Sequence, residues 1–143
     1  MGREVTIWKL RTMVPGAEGR EAESETEEGR RSLVTRLGAL LRRTRLDELP
    51  QLWNVLRGEM SLVGPRPERT TVVDRLKASI PHFEIRHLVP PGITGWAQLN
   101  HRAAYDSGES LEKFRYDLYY IERCTLDLDL TIMLRTARRL VTG

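Results

Sequence analysis

The sequence contains a single cysteine, Cys124, so no disulfide can form within the chain and a reducing compartment suits it. No apolar run approaches the roughly 18 residues that a membrane-spanning helix needs. Charged residues follow Met1 with no apolar segment behind them, so no signal peptide is expected. The three histidines, His82, His87 and His101, lack the i, i+4 spacing of a helical metal pair, which argues against zinc. Lysine is scarce as well, 3 residues against 20 arginines, and the basic surface suits phosphate ligands, anionic lipid headgroups or nucleic acid.

What is present is 143 residues, 40% hydrophobic and 30% charged, enough for a single domain over 1–143 and too apolar for disorder throughout. The charge is unevenly spread. Residues 15–31 hold six glutamates and three arginines among glycines, so a mobile acidic loop is expected over 14–31. That stretch carries −3, which leaves +6 on the remainder against a total of +3. Charge alone suggests a nucleic-acid-binding domain, but no recognition helix, zinc spacing or aromatic stacking motif accompanies it, and no nucleic-acid partner is expected.

Chemistry is densest from Leu41 to Glu68, LRRTRLDELPQLWNVLRGEMSLVGPRPE. Leu49, Leu52, Trp53 and Leu56 fall at i, i+3, i+4 and i+7, the spacing of one buried helical face. Pro50 has no N–H to donate and belongs in a first helical turn. Gly58 stands where a left-handed C-terminal cap is wanted, so the helix ends near Arg57. Asp47 and Glu48 then lie at or just before the helix N-terminus, where exposed N–H groups favour carboxylates. Such an Asp can attack phosphorus, and a neighbouring Glu can hold Mg²⁺ while phosphate fills other sites on the metal. Acidic residues at helix starts are more often caps. The weight shifts with Gly64-Pro65-Arg66-Pro67, a rigid turn that presents Arg66 with little backbone entropy left to lose and a fork suited to phosphate oxygens.

Elsewhere the chain predicts an α+β, helix-rich fold with a few short strands and amphipathic surface helices. Glu4 to Met13 reads as a strand from its β-branched and aromatic content. Leu33, Leu37, Leu40 and Leu41 are available for the core, and Thr44 could cap with Asp47 in the third position. Val72, Val73 and Leu76 mark a helix ended by Pro81. Pro90 to Trp96 leads into an extended segment ending at Asn100. Leu111, Phe114, Leu118 and Ile121 mark a further helix. A last helix spans Leu126 to Val141, with Leu130, Met133, Leu134, Ala137 and Val141 as its packing face.

Three blocks, LDELPQLWNVLRGEMSLVGPRPE, PPGITGWAQLN and YDLYYIE with LDLDLTIMLRT, resemble in order the bacterial sugar transferase family, the monotopic phosphoglycosyl transferases. The resemblance is collinear from about Arg3 to Leu140. It implies a nucleophilic Asp47 that takes a phosphosugar from a nucleoside diphosphate sugar, commonly UDP-linked, and releases UMP. Polyprenol phosphate then accepts the phosphosugar and starts a surface glycan such as exopolysaccharide, capsule or O-antigen. It further implies Mg²⁺ at Glu48, donor phosphate at Arg66, secondary phosphate contacts at Lys9 and Arg11, and an active-site carboxylate at Asp117. The place implied is the cytoplasmic face of the bacterial inner membrane. The family's hydrophobic re-entrant helix lies upstream of the point where this sequence starts, so this chain is expected to lack the usual anchor. A catalytically idle scaffold is the alternative, and a homodimer is left open.

Overall fold

The computed structural model describes residues 4–17, 29, 32–101 and 107–142. The chain folds as two compact units, Ile7–Trp53 and Met1–Thr6 with Asn54–Gly143. The fold is helix-rich α+β, as expected from the sequence. Most of the acidic stretch 14–31 lies outside the described residues.

In the unit Ile7–Trp53, helix α1 covers Arg36–Arg43. Thr35 caps it, its hydroxyl accepting from the Gly38 N–H at 2.9 Å. Gly38 is needed for close approach: a Cβ there would lie 1.9 Å from the Thr12 carbonyl oxygen. Glu4 to Met13 is not a strand. It forms one isolated antiparallel bridge, Met13 with Val34, and the Thr12 carbonyl accepts from the Thr35 N–H at 3.0 Å. β-branched residues favour extension, but extension becomes a strand only when a ladder of partners exists. Leu37 and Leu40, expected in the core, are exposed. Thr44 does not cap the following turn; its hydroxyl donates back to Leu40 and Leu41 carbonyls at 2.9 and 3.2 Å.

Helix α2, Gln51–Leu56, begins right after Pro50 and is followed by Gly58 at φ 69°, both as the backbone chemistry requires. Its orientation reverses the expected one. Leu49, Leu52, Trp53 and Leu56 are all exposed, Leu56 at 80%, while Gln51 and Asn54 are buried and Asn54 is 0% exposed. The reason is polar: Asn54 Nδ2 donates to the Thr6 carbonyl at 2.8 Å and to Glu59 Oε2 at 2.7 Å. Its own carbonyl accepts from the Glu59 and Met60 N–H groups.

The larger unit is built on two short parallel strands, β1 (Ser61–Val63) and β2 (Gly92–Thr94), in register Ser61 with Gly92 and Val63 with Thr94. Between them come α3 (Thr70–Ser79) and a 3-10 segment, Phe83–Leu88. After β2 the chain turns helical: α4 covers Trp96–Asn100, so the expected extended run stops at Thr94. Helices α5 (Ser107–Glu122) and α6 (Leu126–Thr142) complete the unit. One core cluster joins Leu76, Ile80, Phe83 and Phe114; a second joins Val63, Tyr120 and Ile132. The Tyr120 hydroxyl lies 2.9 Å from Asp129 Oδ1 and 3.3 Å from the Val63 carbonyl, tying α5 to α6 and β1, and burial pushes it well above the usual phenol range.

The packing face of α6 also differs from the expected one. Ile132 is 0% exposed, with Leu128 and Met133 beside it, whereas Leu130, Leu134 and Val141 face outward. Among the described residues, no helix is long and apolar enough to cross a membrane.

Candidate active site

The carboxylate pair occupies a 3-10 turn, Leu46–Glu48, between α1 and α2. Arg45 makes the reversal by adopting a left-handed conformation, φ 58°, which a side-chain-bearing residue takes at some cost. The Leu10 N–H donates to the Asp47 carbonyl at 3.0 Å and so draws the segment around Lys9 alongside the turn. Lys9 Nζ then stands 3.5 Å from Glu48 Oε1, and Arg45 Nη1 stands 3.6 Å from Glu48 Oε2. Arg11 is exposed, and no contact ties it to the pair among the described residues.

Both carboxylates are buried, Asp47 to 9% and Glu48 to 7% exposure. Among the described residues, Asp47 Oδ1 has no hydrogen-bond partner. Burying an acceptor without a partner is costly in a finished fold. Such an oxygen is chemically available to a ligand. The set also fits Mg²⁺, which needs one or two protein carboxylates when substrate phosphate and water supply the rest. Among the described residues no group of three or more His, Cys, Asp or Glu comes together.

In the larger unit, Arg66 follows β1 on the Gly-Pro-Arg-Pro turn and is half-buried. The turn is held at three points: the Gly64 N–H donates to the Thr94 carbonyl at 2.9 Å, the Pro65 carbonyl accepts from Gly92 at 2.9 Å, and the Arg66 carbonyl accepts from Arg86 Nη2 at 2.8 Å. Gly64 and Gly92 make this possible, since a Cβ on Gly92 would sit 2.1 Å from Gly64 N.

Asp117, on α5, is 2% exposed, and its Oδ2 lies 2.9 Å from Arg86 Nη2. Burial pushes the Asp117 carboxyl above the ordinary carboxylate range, outweighing the pull of Arg86 and Lys113 in the other direction. The structure thus groups the expected residues as Asp47, Glu48 and Lys9 in one unit, and Arg66 and Asp117, joined through Arg86, in the other. Sequence reading missed Arg86. Its surroundings, Ile85-Arg86-His87-Leu88, look like any amphipathic turn, and its partners lie far away in the chain.

The model of the bacterial sugar transferase family matches residues 1–143. The chain belongs to that family. Among curated proteins, it is 44% identical over 141 residues to the UDP-N-acetylgalactosamine-undecaprenyl-phosphate N-acetylgalactosaminephosphotransferase of Aeromonas hydrophila, covering 99% of this chain and 33% of the relative. It is 43% identical over 143 residues to the UDP-glucose:undecaprenyl-phosphate glucose-1-phosphate transferase of Xanthomonas campestris pv. campestris, covering 98% of this chain and 29% of the relative. The protein of the same description from Escherichia coli K12 is 41% identical over 137 residues, covering 94% and 29%. The sugar transferase chain therefore spans about a third of the length of these relatives.

Proposed function

We propose that this chain carries the phosphosugar-transfer chemistry of its family, moving a sugar 1-phosphate from a UDP-sugar to a polyprenol phosphate such as undecaprenyl phosphate. The observation that supports this most directly is the buried Asp47 Oδ1, which has no hydrogen-bond partner among the described residues, beside a buried Glu48 flanked by Lys9 and Arg45. In the first step, an Asp47 carboxylate oxygen attacks the β-phosphorus of the donor. A new P–O bond forms to Asp47 as the bridging P–O bond breaks, and UMP leaves with that electron pair. In the second step, a phosphate oxygen of the polyprenol phosphate attacks the same phosphorus. The aspartyl phosphorus bond breaks, the Asp47 carboxylate is restored, and a polyprenyl diphosphate sugar is released.

Glu48 would hold Mg²⁺, which when bound supplies positive charge to the phosphate oxygens. Arg66 and Lys9 bind donor phosphates, with Arg11 a peripheral contact. Residues 1–143 act as the catalytic domain, working at the cytoplasmic face of the inner membrane, where the lipid acceptor resides, in the initiation of a surface glycan. Intact-mass measurement after mixing with UDP-N-acetylgalactosamine or UDP-glucose and Mg²⁺ tests this reading. The protein should gain the mass of one phosphosugar and release UMP, and Asp47→Asn should do neither. Donor binding without an adduct would instead favour an idle scaffold, and an adduct that persists in Asp47→Asn would remove Asp47 as nucleophile.

A further inference from the structure

We infer that Arg86 is a positioning residue for Arg66, fixing the peptide plane from which the phosphate-binding guanidinium departs. The inference rests on the reading of Arg66 as a donor-phosphate ligand. Arg86 is 4% exposed. One of its nitrogens, Nη2, donates to the Arg66 carbonyl at 2.8 Å and stands 2.9 Å from Asp117 Oδ2 as an ion pair, without hydrogen-bond alignment to that oxygen. The guanidinium also lies over the Phe83 ring, 5.0 Å from its centroid, and Phe83 in turn packs on Phe114 at 5.2 Å. Phe114 and Asp117 are one turn apart on α5. The plane of Arg86 is therefore set by an aromatic face while its end is set by a carboxylate.

A buried ion pair is a poor route to stability, because desolvating both charges offsets most of their attraction. This one is also incomplete, since Arg86 Nε and Asp117 Oδ2 have no hydrogen-bond partner among the described residues. What the pair does provide is a charged donor aimed at one particular carbonyl. That carbonyl belongs to the residue between two prolines. Pro67 has no N–H, so in the peptide that joins it to Arg66 the carbonyl is the one group through which a hydrogen bond can fix the plane. Pro65 is held by the Gly92 N–H at 2.9 Å, and Arg66 by Arg86. Losing the Arg86 contact loosens the plane of that peptide and widens the range of directions in which the Arg66 side chain leaves the chain. A spread of that kind weakens bidentate phosphate recognition without removing a ligand group.

A double-mutant cycle on UDP-sugar binding, read by calorimetry with UDP-glucose and UDP-N-acetylgalactosamine, separates positioning from general support. Arg86→Gln should weaken binding about tenfold in the parent, the scale of one charge-assisted hydrogen bond. In an Arg66→Ala background the same change should do nothing further. Arg86→Lys keeps the charge and reaches the carbonyl but loses the planar stacking, so its loss should be smaller, with a melting temperature close to the parent's. Equal weakening in both backgrounds, or full affinity in a folded Arg86→Gln and Arg86→Lys, overturns the inference and leaves Arg66 as a ligand. Unchanged affinity in Arg66→Ala alone overturns both readings, because there is then no ligand to position.

Discussion

Asn54 Nδ2 donates to Glu59 Oε2 at 2.7 Å, and the same amide donates to the Thr6 carbonyl at 2.8 Å. An asparagine with no exposure thereby fastens the end of α2 to the loop that leads into β1. Asn54→Ala removes both donors, takes a hydrogen bond each from the Thr6 carbonyl and the Glu59 carboxylate, and leaves a cavity where a fully buried side chain stood. It should cost about 2–4 kcal/mol in urea unfolding. Glu59→Gln should cost less, because its amide oxygen still accepts from Asn54 and only the contact with the exposed Arg57, 3.2 Å away, is lost. Equal destabilisation by the two changes would show that the amide is not the hub.

Ile132 and Leu134, two residues apart on α6, should answer differently to truncation. Ile132→Ala opens a cavity in the cluster with Val63 and Tyr120 and should cost about 2–5 kcal/mol. Leu134 is 71% exposed, so Leu134→Ala should stay within roughly 0.5 kcal/mol. The reverse ranking in chemical denaturation would restore the face that periodicity alone suggests.

These two helices show what a sequence makes legible. Period 3.6 identifies residues that share a face, but it does not say on which side the rest of the protein lies. On α2, the decisive inward residue is Asn54, whose burial depends on partners at Thr6 and Glu59 that no hydrophobic pattern encodes. Local backbone chemistry reads better. Pro50 and Gly58 bound α2 because a missing N–H and a positive φ act within a few residues of where they stand. The carboxylate pair ahead of α2 follows from the same facts. The β1 and β2 pairing depends on the approach of Gly64 to Gly92, and the role of Arg86 depends on Arg66 and Asp117, at separations that local patterns do not reach.

Lys9 offers a way to separate a structural charge from a working one. Its contact with Glu48 is long, 3.5 Å, and the lysine side chain is 42% exposed. A pair so placed contributes about 0–1 kcal/mol to stability after screening. Lys9→Met should therefore leave the melting temperature nearly unchanged while weakening UDP-sugar binding several-fold if the ammonium meets phosphate. The loss should shrink as salt rises, since screening already weakens the parent's contact. A Lys9→Met protein with parent affinity at low salt would assign the lysine to Glu48 alone.

His87 sets a pH dependence whose sign can be worked out. Burial lowers its pKa from the ordinary imidazole value, and the neighbouring cations Arg86 and Lys77 lower it further, against an opposing pull from Glu84. The folded protein therefore holds His87 neutral over a range where the unfolded chain would take up a proton. Its contribution to stability is fully present above about pH 6.5, the unfolded value, and is lost as pH falls through the depressed folded value. Among the described residues no hydrogen-bond partner meets the buried Nδ1, and the ring meets Phe83 edge-on at 6.5 Å, so a protonated ring finds no acceptor there at that nitrogen. Urea midpoints for the parent should drop between pH 7.5 and 5.5 by more than those of His87→Gln, which cannot charge. Parallel pH profiles for the two proteins would show that the ring titrates as freely in the fold as in the unfolded chain.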